Sequence, residues 1–454
     1  MGRFLPESLM RPRLLLLSFL CLATLAARAS QAPSTLVVTP QPGPGEYGTL
    51  AAALAAAPAG AVVRVRPGRY VETLAVRRPV TIVGEGTGAV SILSPPGAPA
   101  IAVLVTGNVT LRGLAIRAGA EPKRTQSGGA APKPLAVTVQ QGTVVLERCE
   151  VTSEAASGIG VSGAGTETIL RHCAVRGCTE AGILVYDGAR AVLDGCEVRG
   201  SGLAGLEVRA AGDVTARNST FSDNKGPGVH LHGQSRGLLE ECRLQDNAGA
   251  GVQCRERSTL ALRKSEITGS QGPGLHLLQA GEAVLTDCTL AGGKAAGLEC
   301  AAGTRATLSG GALKDNGSTG VLAHSGGRVE LRDATCSGNR LTGLEGRQAG
   351  VITLHGGRVA DNRGVGLYLH DSGEGVADGV EFAGNRTAGV LILAGSTATV
   401  RGCRILNNGG WGVSVRKDGR ATVTNCEIRG QKKAVAGEKS ATLVQEGNQG
   451  DPAR

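Results

Sequence analysis

A glycine followed by alternating apolar residues recurs along this chain at nearly constant spacing. It appears in SGIGV, AGILV, AGLEV, PGVHL, AGVQC, PGLHL, AGLEC, TGVLA, TGLEG, VGLYL, AGVLI and WGVSV, running from Gly158 and Gly182 to Gly389 and Gly412. The first interval is twenty-four and every later one twenty-three, as from Gly182 to Gly205 and on to Gly228. A fixed period of this kind implies one structural unit per repeat. After each glycine the first and third residues are mostly apolar and the second and fourth more often polar, as in Val229 and Leu231 against His230 and His232. Such alternation marks a half-buried strand. A second alternating segment follows nine to eleven residues after the glycine, as in Leu260, Leu262 and Ile267, or Val400 and Ile405. Helical solenoids need repeats of ~33–47 residues and propeller blades ~40 or more. Two or three short strands between one marker glycine and the next instead describe one coil of a parallel β-helix.

Composition fits a stacked repeat. Of 454 residues, 71 are glycine and only nine are Trp, Tyr or Phe, so the 41% that are hydrophobic must build a core from Ala, Val, Leu, Ile and Cys. A charged fraction of 19% with apolar residues throughout argues against disorder. Glycine at every third position, which collagen requires, is absent.

Stacking explains further columns. Four residues before the marker glycine stand Asn224, Asn247, Asn316, Asn339, Asn362, Asn385 and Asn408. In a turn, Asn tolerates left-handed backbone geometry, and amides stacked at ~4.8 Å can form a hydrogen-bonded ladder. Cys149, Cys173, Cys196, Cys242, Cys288, Cys403 and Cys426 share another register and are expected inside as small hydrophobes, with Cys254, Cys300 and Cys336 also inward. Cys178 falls in the turn register and is the one thiol expected to be accessible. No CxxC points to zinc. Asp223, Asp246, Asp315 and Asp361 each precede a ladder Asn. Calcium needs six to eight converging oxygens, so these read as solvated turn residues, and neither metal nor cofactor is expected.

Residues 1–29 read as a secretory signal: Arg3, Arg11 and Arg13, an apolar run from Leu14 to Leu25, then the small-x-small pattern Ala27-Arg28-Ala29. The run is short for a membrane span of ~20 residues and no later stretch qualifies. The expected product is exported, to the periplasm, cell surface or medium. Eleven of the twelve Cys remain after cleavage, an odd number in a compartment that permits disulfides. The formal charge of +10 becomes +7, because four Arg and one Glu leave. No basic stripe interleaved with aromatics is present, so nucleic acid is not an expected partner, and the charge favours acidic polymers mildly.

The start of the mature chain differs from the repeats. Tyr47 to Ala57 reads as a short apolar helix covering the first coil, followed by VVRVRPGRYVE and VRRPVTIVGEG as strand–turn–strand. This block resembles the beginning of the pectin-lyase-like right-handed β-helix superfamily, where a capping helix precedes a P-G-x-Y-x-E segment and a PVTIVGEG-like strand. The later repeats resemble that superfamily's generic β-helix repeat. The resemblance implies the fold but not an activity, since the superfamily holds lyases, hydrolases, esterases, epimerases and non-enzymes. Its polygalacturonase, alginate epimerase, pectin esterase and pectate lyase signatures are missing from this sequence.

The expected architecture is therefore all-β: a signal at 1–29, an N-terminal segment with the helix at 30–61, a single right-handed parallel β-helix of about fifteen coils at 62–445, and a tail at 446–454. Residues 118–134 break the repeat as a protruding insertion. The resemblance also implies a ligand groove on the outside of one sheet. On the marker strand the outward columns are the second and fourth positions after each glycine, and they hold five of the seven His: His230, His232, His276, His324 and His370. Neighbours within a column should lie ~4.8 Å apart and the two columns ~6–7 Å apart. Glu207, Arg209, His230, His232, Gln253 and Arg255 should form one patch, with Tyr186 and His276 beside it.

Arg209 and Arg255 could pair a sugar carboxylate or sulfate. A His or Arg could remove a proton with Glu207 as partner, so the catalytic candidates are Glu207, Arg209, His230, His232 and Arg255. Tyr186 and Tyr368 are too far apart, and Trp411 reads as a turn residue, so a stacking platform for neutral sugars is not expected. The leading expectation is binding of acidic polysaccharide without catalysis, strengthening as pH falls through ~6.5 if the imidazoles gain charge there. A uronate lyase or epimerase, and a structural envelope rod, are the alternatives.

Overall fold

The structure, a computed structural model, describes residues 33–86, 88–120, 133–393 and 395–450. The signal segment and most of the 118–134 insertion lie outside the described residues.

Each repeat lays down three short strands. In one coil these are Val229–Leu231, Arg236–Glu240 and Arg243–Gln245, and in the next Val252–Cys254, Thr259–Arg263 and Glu266–Thr268. Corresponding strands pair parallel and in register, with Val229 opposite Val252, Arg236 opposite Thr259 and Arg243 opposite Glu266. Three parallel sheets result: a marker sheet of 16 strands, a sheet of 18 longer strands and a third sheet of 17 among the described residues. This is about two coils more than the fifteen expected from the sequence. The first strand, Thr35–Val38, pairs with Ala61–Val65 ahead of the repeats, and pairing continues to Gln449–Gly450, past position 445.

Alternation builds the core. Marker strands bury their first and third residues, long strands their second and fourth, and third-sheet strands their middle residue. Leu260, Leu262, Ile267, Val400 and Ile405 all point inward. Because both walls of the coil are backbone, the interior admits aliphatic and small side chains, and Phe221 and Phe382 are the largest wholly buried ones.

Between the first two strands of the long sheet lies the helix Leu50–Ala56, with Leu50, Ala53 and Ala57 buried. Thr49 caps it by accepting from the Ala52 N–H at 3.2 Å. The Glu72 carboxylate accepts from the N–H groups of Leu50 and Ala51 at 3.0 and 2.9 Å. The P-G-x-Y-x-E segment thereby finds its physical role. Its Glu satisfies the orphan donors of the capping helix. Its buried Tyr70 donates its hydroxyl to the Arg66 carbonyl at 2.9 Å, and a Cβ on Gly68 would strike Pro40 Cγ at 2.6 Å.

The asparagine column is a buried ladder. Asn316 Nδ2 donates to Asn339 Oδ1 at 3.0 Å, Asn339 to Asn362 at 2.9 Å, Asn362 to Asn385 at 2.9 Å and Asn385 to Asn408 at 3.0 Å. Each amide also donates to a carbonyl of the preceding coil, as Asn339 does to Leu313 O at 3.2 Å. The left-handed conformation belongs to the residue before the Asn instead: Asp223, Asp246, Asp315 and Asp361 have φ of 52–57°. These exposed Asp turn the chain so that the following amide points inward. The marker glycine is required by the same packing, since a Cβ on Gly228 would lie 2.8 Å from both Asn247 Nδ2 and the Gly251 carbonyl.

This inward column corrects the reading of Cys178. Cys178 stands four residues before Gly182, where other coils carry the ladder Asn, and it is buried at 2% exposure. Burial pushes its thiol up to about 12. The other Cys among the described residues are buried as well, and those at the corner between the long and third sheets donate to carbonyls of the preceding coil, as Cys173 Sγ does to Leu146 O at 3.3 Å.

Two outcomes follow for stability and reactivity. Asn339→Ala removes both amide donors and strands the Asn316 donors inside, so unfolding titrations should show a loss of about 3 kcal/mol, whereas the exposed neighbour Arg340→Ala should change stability by less than about 0.5 kcal/mol. Iodoacetamide at pH 8 should leave Cys178 unmodified in the folded protein and label it after denaturation; rapid labelling of the native chain would contradict its inward position.

Candidate functional site

The outer face of the marker sheet gathers the candidate residues. Leu206–Val208 pairs with Val229–Leu231, which pairs with Val252–Cys254 and then Leu275–Leu277. Glu207, His230, Gln253 and His276 therefore stand side by side in one column, all half-buried and outward. Arg209, His232 and Arg255 form the adjoining column. Tyr186 lies one coil before Arg209, whose guanidinium sits 5.4 Å from the tyrosine ring centroid. The eight residues expected at the site thus share one face. The columns are not outward without exception, because Ala301 and Ser414 are buried.

Within the patch the contacts run diagonally. Glu207 Oε1 lies 3.1 Å from His232 Nε2, one coil on and in the other column, and 3.6 Å from Arg209 Nη1. The rings of His230 and His232 stack with centroids 4.5 Å apart and planes at 26°. Glu256 reaches back from the following turn, 3.7 Å from His232 Nδ1 and 3.5 Å from Arg255 Nε. The Nε atoms of Arg255 and Arg347 and the Nε2 of His230 are buried without a hydrogen-bond partner.

Electrostatics alter the expected pH response. Burial, followed by the charges of His232 and Arg255, pushes His230 down to about 4. Burial also lowers His276, against an opposing effect of Glu299. His230 therefore stays neutral as pH falls through 6.5 and adds no positive charge to the face there, and His276 gains a proton less readily than an ordinary imidazole.

The same diagonal recurs beyond the expected patch. Glu299 Oε1 lies 3.2 Å from His324 Nε2 and 3.8 Å from His276 Nε2. Glu345 Oε1 lies 3.3 Å from His370 Nε2, and His370 stacks on Tyr368 at 4.6 Å. Sequence reasoning follows the columns and misses these pairs, although the signal is present: a Glu two residues after one marker glycine and a His four residues after the next. Trp411 also differs from expectation. It opens the strand Trp411–Val415 on this sheet, and Arg416 packs over its ring at 4.6 Å.

Surface concavities among the described residues include one lined by Asn218, Glu241, Arg243, Lys264 and Glu266 and another by Trp411, Arg416, Ala436 and Glu438. Among the described residues no helix is long and apolar enough to cross a membrane.

Among solved structures, a Geobacillus virus protein superposes with a TM-score of 0.42 at 12% identity, over 51% of this chain and 49% of its own length, so this chain spans about half of that protein. Pectin methylesterase PemA from Erwinia chrysanthemi gives 0.37 at 15% identity over 47% of this chain and 80% of that one. The A-module of a mannuronan C-5 epimerase from Azotobacter vinelandii gives 0.37 at 12% identity over 89% and 93%. No curated protein sequence matches the chain. The family model described as "Right handed beta helix region" matches residues 133–261 and 297–449, well over half of the sequence. With its coils stacked parallel and in register through those segments, the chain belongs to the right-handed β-helix family.

Proposed function

We propose that this is an exported β-helix protein that binds acidic polysaccharide along the outer face of its marker sheet. The observation that carries this reading is the set of guanidinium groups on that face, which acidic neighbours hold at ion-pair distance while hydrogen-bonding capacity is left over. Arg255 Nε and Arg347 Nε are shielded from water and lie 3.5 and 3.8 Å from Glu256 and Glu345 without a hydrogen bond, and Arg209 and Arg255 flank His232 on successive coils. A guanidinium prefers the planar, bidentate geometry of a carboxylate or sulfate, and such charge-assisted bonds are stronger than neutral ones. A linear polymer laid along the rod would meet one such position after another without a deep pocket. The export signal at 1–29 and the charge of +7 after its removal agree with an acidic partner outside the cytoplasm.

A second reading draws on the Glu207–His232 contact at 3.1 Å, with Glu256 on the other ring nitrogen. A carboxylate that orients an imidazole is the arrangement of a general base, as proton abstraction from a uronate would need. Lyase action would leave an unsaturated product absorbing in the ultraviolet, and epimerase action a changed sugar configuration.

Titration against polygalacturonate, alginate and a sulfated glycosaminoglycan tests the binding reading. At low salt at least one should bind, with affinity falling as salt rises, and Arg209→Gln/Arg255→Gln should weaken it by about tenfold or more. Binding by none of the three, or undiminished binding by the double variant, would leave a solvated sheet face on a structural rod.

A further inference from the structure

His230 and His232 stand two apart on one strand, so strand alternation carries both imidazoles to the same face. Glu207 is the in-register neighbour of His230 on the preceding coil. One ligand atom from each of the three falls within 4.8 Å of the others, and the Glu207–His232 pair is already at 3.1 Å. Two further observations point to something missing from this cluster. His230 Nε2 is buried with no hydrogen-bond partner, a costly state for a polar atom among polar neighbours. Glu256 Oε2 lies 3.7 Å from His232 Nδ1, on the side of the ring away from Glu207. A carboxylate on that side needs to approach by only a few tenths of an ångström to accept the distal N–H of an imidazole whose other nitrogen binds a metal.

We propose that Glu207, His230 and His232 form a three-ligand site for a divalent transition ion of the zinc, nickel or copper(II) class, with the remaining coordination positions open to solvent.

The donor set selects the class. Two imidazole nitrogens and one carboxylate suit borderline ions, whereas calcium and magnesium need more oxygens than the cluster supplies. Bond lengths of ~2.0–2.2 Å require the three donors to draw together, which rotation of the two rings and the Glu207 side chain accomplishes on a fixed strand. The strand itself is hydrogen-bonded on both sides, so the positions of the three Cα atoms are set before any ion arrives. Arg209 lies 3.6 Å from Glu207 and would be displaced towards Tyr186, over whose ring it already sits.

The protein contains its own comparison. Six coils further along, Glu345, Tyr368 and His370 repeat the frame, with a stacked ring pair at 4.6 Å and a Glu–His contact of 3.3 Å. There a phenol replaces the first imidazole, so only one nitrogen ligand remains.

Chelator-treated mature protein titrated with zinc(II) alone at neutral pH, without any polysaccharide, tests the site independently of glycan binding. About one equivalent should bind, and His230→Tyr, which copies the Tyr368 frame, should weaken it by at least about tenfold, as should Glu207→Gln. His370→Ala should leave it unchanged. Cobalt(II) should give visible d–d bands without the thiolate charge-transfer absorption that the buried Cys would produce. Far-ultraviolet circular dichroism identical to the unsubstituted protein shows that the variants are folded, and if His230→Tyr does not fold, Glu207→Gln decides the test. No stoichiometric binding, equal affinity in the folded variants, or a thiolate spectrum would overturn the proposal.

Discussion

The N–H and C=O groups of each strand are satisfied by the strands one repeat before and one repeat after, as where Val252–Cys254 lies between Val229–Leu231 and Leu275–Leu277. This fixed shift of one repeat makes sequence columns into spatial columns. Backbone polar groups cannot be left unpaired in an interior, so the register is enforced along the whole rod. The narrow choice of residues inside follows from it. A side chain is tolerated only if it fits above and below copies of its own position, which suits Val, Leu, Ile, Cys and a self-complementary amide. The Asn ladder adds a second, side-chain set of bonds with the same period, running through the corner where the backbone turns.

Outside, the same register concentrates unlike residues rather than repeating one. On the long-strand sheet, opposite charges alternate between coils, as in the Arg217–Glu240 and Arg64–Glu85 pairs at 3.1 and 3.0 Å. Exposed pairs of this kind contribute little stability and mainly keep the face soluble. The marker sheet is different. Its Glu and His are mostly covered, and each of Glu207, Glu299 and Glu345 contacts an imidazole of the next coil. Reduced solvent access strengthens these contacts and leaves polar atoms such as His230 Nε2 and Arg255 Nε without a hydrogen bond.

The solenoid, its coil of two or three short strands and the inward Cys column are legible because each depends on a single repeated position. What escapes depends on relations between positions. Spacing alone misplaces Cys178 because its column looks like a turn, whereas the left-handed residue before the equivalent Asn rotates that column into the core. Thr35–Val38 is passed over because the glycine marker does not reach it, although its apolar pattern suits a strand. The patch around Glu207 can be assembled from column arithmetic, but the Glu–His diagonals require a knowledge of side-chain direction. The depressed His230 likewise depends on how closely its neighbours cover it, and spacing alone carries no such information.

Pulsed electron–electron distance measurements between spin labels at exposed positions of one column test the stacked register most directly. Label pairs at Arg236 and Arg328, Arg236 and Glu374, and Arg236 and Arg420 are four, six and eight coils apart, so their mean separations should rise in even steps, near ~19, ~29 and ~38 Å at ~4.8 Å per coil. Distances that fail to grow by this increment, or that scatter without relation to the number of repeats between the labels, would contradict the shared face on which Glu207, His230 and His232 meet.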